Sequence, residues 1–226
     1  MKTLSFIAFF LLPIVSISQN KNGCPPKSVK NHKCGNIQED FKLDTTSEIY
    51  LMETFFEVRL KNKLKKEEDN IIAGRCIDLL NNVINDSDFW NLIYQYKKYE
   101  FAKWSQNLND QWLEIDNKQI LNTLVNGNPD NNERPDTVII EIELNLYGSP
   151  IKMPKETVIG KHANGNKIFN KRWFFRNRST KRIASNWMHE ITHSKGLRHC
   201  FYCNQQRDYS VPYVINRIFS EVSKKY

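Results

Sequence analysis

The stretch DTVIIEIELNLYG, residues 136–148, sets Val138, Ile140, Ile142, Leu144 and Leu146 against Glu141, Glu143 and Asn145 in strict alternation. A period of two marks a strand with one buried face, so the chain must build a sheet and pack something against one side of it. Two further strands are expected, at 157–161 and 167–175, with Asn164-Gly165 as a hairpin signal between them. Upstream the period is helical. Ser47 to Lys66 can gather Leu51, Phe55, Phe56 and Val58 on a broad face, and Ile71 to Ile84 does so with Ile72, Cys76, Leu79, Leu80 and Val83. Asp86-Ser87-Asp88 offers an N-cap to an aromatic-rich helix, Lys118 to Val125 is another short helix, and residues 126–135 are a loop by their turn residues. Downstream, Ser179 or Thr180 can cap a helix to Ser194, and Val211, Val214, Ile215, Ile218, Phe219 and Val222 share a face of a last helix. These elements predict an α+β fold with a helical N-terminal half, a small mixed sheet and a C-terminal helix.

The N-terminus is of another kind. Lys2 precedes an apolar run from Leu4 to Val15 and small residues at Ser16 and Ser18, the layout of a cleavable export signal cut before Gln19. The run is too short to span a bilayer comfortably, so stable membrane insertion is not expected. The expected division is a signal peptide at 1–18, an arm and helix at 19–70 that is either a removable pro-segment or part of the domain, and a main domain at 71–226. Such a protein works outside the cell or in a periplasm, where disulfides form. Of the 5 cysteines, Cys24/Cys34 and Cys200/Cys203 are close pairs, and the odd count leaves a thiol over. The net charge of +8 comes from basic residues scattered among acids, and no nucleic-acid module accompanies it, so a nucleic-acid partner is not expected.

Chemistry concentrates in HEITHSKGLRHC, residues 189–200. His189 and His193 are one helical turn apart and project from the same face, which suits two ligands of one zinc ion. Glu190 lies about 100° around the helix from His189, beside such a metal and not on it, where it can take a proton from water. Gly196 can adopt the positive φ that ends the helix and turns the chain, and His199 then returns as the third ligand. Chance placement of all five residues at this spacing is on the order of one in ten thousand or less from average residue usage.

Residues 189–199 resemble the extended zinc motif of the metzincin metallopeptidases, the clan of matrixins, astacins and serralysins. The resemblance covers roughly residues 136–226 and is sharp only in those eleven residues. It implies a metzincin-like catalytic domain with His189, His193 and His199 on one catalytic Zn2+, Glu190 as general base, and an edge strand at 157–162 that aligns an extended protein or peptide substrate. The implied activity is secreted zinc-dependent endopeptidase; the alternative is a catalytically inactive, zinc-stabilised binding protein of the same fold. One departure stands out: the clan's methionine below the zinc is missing, since no methionine follows Met188. Val211 falls in its place, and Tyr213 where astacins and serralysins carry a tyrosine that can approach the zinc, unless it only packs in the first turn of the last helix. Cys200 either braces the loop through Cys203 or competes for the metal.

Overall fold

The alternating stretch is strand β4, Thr137–Tyr147, and Ile140, Ile142 and Leu144 on its inner face are buried. The computed structural model describes residues 41, 43–44, 53–97, 99, 102–105, 113–151, 160–163, 167–198 and 206–226. The signal-like N-terminus, Cys24, Cys34, Cys200, Cys203, the Asn164-Gly165 turn, residues 157–159 and His199 lie outside them.

Around β4 the chain is α+β. The described helices are α1 (Glu67–Ile84), α2 (Ser87–Gln95), α3 (Asn117–Asn126), α4 (Arg172–Asn177), α5 (Thr180–Ser194) and α6 (Val211–Val222). The main sheet has the order β1-β4-β6-β5, with β1 at Phe55–Leu60, β5 at Gly160–Ala163 and β6 at Lys167–Lys171. β1, β4 and β6 run parallel, and β5 is antiparallel to β6. A second small sheet pairs β2 (Lys103–Trp104) with β3 (Leu113–Glu114) and with β7 (Leu197–Arg198). One face of the main sheet, with Phe56, Val58, Ile140, Ile142, Leu144 and Ile168, joins a core shared with α1, α5 and α6. The other face meets water and carries ion pairs such as Arg59 to Glu141 at 3.0 Å.

Two expected elements are corrected. The helix expected over 47–66 is overturned at residues 55–60, which form β1. Its few apolar residues fit either period, and Phe56 and Val58 go inward at a period of two while Phe55 is left 57% exposed. The strand expected over 167–175 stops at Lys171, and α4 follows. A continued strand would send adjacent aromatics to opposite faces, one of them wet, whereas a helical turn buries Trp173, Phe174 and Phe175 together. The expected boundary between residues 70 and 71 falls within α1, and β1 belongs to the same sheet as β4.

β1 ends the sheet, yet its outer edge is not open. Val58 donates its N–H to Asn81 Oδ1 at 2.7 Å and accepts from Asn81 Nδ2 at 2.9 Å. Phe56 does the same with Asn85, at 2.9 and 2.8 Å. Two side-chain amides one turn apart, Asn81 on α1 and Asn85 at its C-cap, thus stand in for a neighbouring strand, which protects an edge that would otherwise recruit another chain. Asn81→Ala leaves one buried N–H and one C=O of β1 without these partners, and a loss of about 1–3 kcal/mol is expected in urea unfolding, with more aggregation on refolding.

The local signals at the helix ends are realised. Asp86 caps α2 by accepting from Asp88 N–H at 2.8 Å, Asp116 and Gln119 form a reciprocal capping box on α3, and Ser179 caps α5. Cys76 is buried in α1, where burial pushes its thiol up to about 12, so it is the inert kind of cysteine. Among the described residues no helix is long and apolar enough to cross a membrane.

Candidate metal centre and catalytic carboxylate

Helix α5 runs through the interior and is buried from Ile183 to Thr192, including His189 and Glu190. It is not the half-wet helix that a single apolar face would give, because α6 lies along it and β5 passes over it. The turn spacing brings His189 Nε2 and His193 Nε2 to 3.2 Å. Two nitrogens on one tetrahedral zinc, each at about 2.0–2.1 Å, lie about 3.3 Å apart, so the pair fits one ion. His193 Nδ1 lies 2.8 Å from the carbonyl oxygen of Leu197, which accepts only; Nδ1 therefore carries the proton and Nε2 presents its lone pair. His189 stacks edge to face on Tyr213, with ring centroids 4.7 Å apart.

Gly196 ends the helix at φ +88°, as the turn requires, and a second demand falls on it. A Cβ there would meet Trp104 Nε1 at 2.7 Å and the Ser105 carbonyl at 2.9 Å. Trp104 Nε1 donates to the Lys195 carbonyl at 3.0 Å, and Ser105 N–H to that of Gly196 at 3.0 Å. The strand β2 thus clamps the turn and pairs with β7, which carries the chain to Arg198. His199 is the next residue and lies outside the described part, so the structure joins two of the three expected ligands. Among the described residues no group of three His, Cys, Asp or Glu side chains gathers as a metal site.

Glu190 sits beside the pair, 4% exposed. Burial raises its carboxyl from 4.5 to about 7, against the opposing pull of Asn186 and of the His162 backbone N–H, both of which donate to it. The strand β5 comes this close because residue 160 is glycine: a Cβ there would lie 2.5 Å from Asn186 Oδ1 and 3.1 Å from Glu190 Oε1. In the metal-free protein the native state therefore holds a proton that the unfolded chain releases. That contribution is complete below pH 4.5 and lost as the pH rises through 7, about 3 kcal/mol in all. Urea midpoints measured from pH 4.5 to 8 are expected to fall accordingly in metal-free protein, and Glu190→Gln to remove most of that slope.

Tyr213 lies in the first turn of α6, after the cap Ser210, and is at the same time against His189. Val211 is fully buried. The site also draws on Trp104, Gly160, Asn170 and Asn186, which lie outside the motif. Asn186 had a signal, since it precedes Glu190 by one helical turn; the others come from distant strands and had none. No protein-family model matches this chain, and neither a curated protein nor a solved structure matches it significantly.

Proposed function

We propose that this protein is an exported zinc endopeptidase of metzincin kind, acting on extended protein or peptide chains. The observation that carries the reading is the 3.2 Å approach of His189 Nε2 and His193 Nε2 with the Glu190 carboxyl buried beside them. His189 and His193 would hold the metal, with His199 as the expected third ligand. Zinc bound there would supply Lewis acidity, polarising a peptide carbonyl and making water more acidic.

The chain's own residues do the rest. Glu190 takes a proton from the attacking water and returns it to the leaving amine, and burial alone holds its carboxyl near 7 before any metal binds. A dication alongside would draw that value down and favour the ionised base. Among the described residues β5 ends the main sheet opposite β1, whose own edge is filled by Asn81 and Asn85, and β5 is the edge proposed to take an extended peptide by main-chain hydrogen bonds. Tyr213 buttresses the His189 ring.

The test offers an unstructured peptide library to residues 19–226. Cleavage should require zinc, stop on chelation and return when zinc is restored; zinc uptake with no cleavage of any peptide would refute the reading.

A further inference from the structure

A chain of buried polar groups runs up to Glu190 from behind. Trp187 Nε1 donates to Asn170 Oδ1, Asn170 Nδ2 donates to Asn186 Oδ1 at 2.9 Å, and Asn186 Nδ2 donates to Glu190 Oε1 at 3.5 Å. Asn170 is completely buried and Asn186 7% exposed. The direction of the chain follows from its first member. An indole N–H can only donate, so Asn170 turns its oxygen to Trp187 and its NH2 to Asn186. Asn186 must then offer its oxygen to Asn170, which leaves its own NH2 for the carboxylate.

We propose that Asn186 and Asn170 are positioning residues for Glu190: a one-way amide relay, started by Trp187, that orients the carboxylate through Oε1. This rests on the peptidase reading for its kinetic consequence but not for its geometry. Two features show a built arrangement. The backbone of β5 is lowered onto the relay at Gly160, where a Cβ would sit 2.5 Å from Asn186 Oδ1 and 2.9 Å from Asn170 Nδ2. The His162 N–H from the same strand adds a second donor to Glu190, so the carboxylate is held from the helix side and from the strand side. The relay thereby ties the base to the strand expected to carry the substrate, and a preorganised base needs no reorientation as the proton moves.

Asn170→Asp is the sharpest probe, two hydrogen bonds away from Glu190. An acceptor-only carboxylate still receives the Trp187 N–H but obliges Asn186 to turn its NH2 backwards, so that an oxygen faces Glu190. In zinc-loaded protein kcat is expected to fall about 10- to 100-fold with KM and zinc content unchanged, and Asn186→Leu to do the same. Neither change should lower kcat further in a Glu190→Gln background, since both act through that residue. A loss that adds fully to that of Glu190→Gln, or one that appears in KM alone, would overturn the relay.

A spectroscopic arm separates this from the peptidase reading. In 15N spectra of the full mature chain, Glu190→Gln should shift the Asn186 side-chain amide and, through Asn170, the Trp187 indole signal. If those signals move in a protein that cleaves nothing, the relay stands and the peptidase reading falls. If they do not move, the relay falls whatever the activity.

Discussion

Glu190→Gln is expected to lower kcat for peptide cleavage by about 10²- to 10⁴-fold, the range over which a positioned general base contributes. Glutamine matches glutamate in shape, and its Oε1 can still accept from Asn186, so the pocket should close around it. What it cannot do is take a proton. KM and zinc content should therefore stay within about twofold, as for an interaction made only in the transition state. Stability should move the other way: above pH 7 the metal-free variant should be more stable than wild type, because the cost of ionising a carboxyl in this interior is gone. A variant that cleaves as fast as wild type while folded and metal-loaded would remove Glu190 from the mechanism.

Gly196→Ala should be strongly destabilising. The positive φ costs a residue with a Cβ about 1–2 kcal/mol. The added Cβ, 2.7 Å from Trp104 Nε1 and 2.9 Å from the Ser105 carbonyl, obliges backbone as well as side chain to move, for roughly 1–3 kcal/mol more. About 2–5 kcal/mol should be lost in urea unfolding. The larger consequence lies in the proposed metal site. Trp104 and Ser105 hold the two carbonyls on either side of the turn, and the His193 ring is oriented by the Leu197 carbonyl directly after it. Displacing β2 from the turn therefore disturbs one ligand's tautomer lock and the path to His199, and zinc affinity should weaken by about 10- to 100-fold. An unchanged zinc dissociation constant in Gly196→Ala would show that the turn does not organise the ligands.

What could be read from the chain was what neighbours in sequence decide. The α5 helix with its Ser179 cap, the Asp86 cap, the alternating β4 and the Gly196 turn are all determined within a few residues, and each is where local chemistry put it. β1 is open to a helical reading because Phe56 and Val58 fit a helical face as well as a period of two; its conformation is chosen by β4 on one side and by Asn81 and Asn85 on the other. α4 is not legible as a helix locally, because nothing in its neighbours says that the far face of the sheet stays wet. The His189 and His193 pair was legible from the helical repeat, and so was the place of Glu190 beside it. The second layer was not. Asn170, Gly160 and Trp104 reach α5 from strands far away in sequence, and a hydrogen bond between such partners leaves no periodic trace.

The coordination of zinc in zinc-loaded residues 19–226, read by X-ray absorption at the zinc edge, bears most directly on whether this is a catalytic centre. Three histidine nitrogens at about 2.0–2.1 Å and one light oxygen are expected, a set with one position left for substrate chemistry. A sulfur at about 2.3 Å, from Cys200 closing the fourth position, or failure of His189→Ala to reduce zinc uptake, would contradict it and point instead to a zinc-stabilised binding protein.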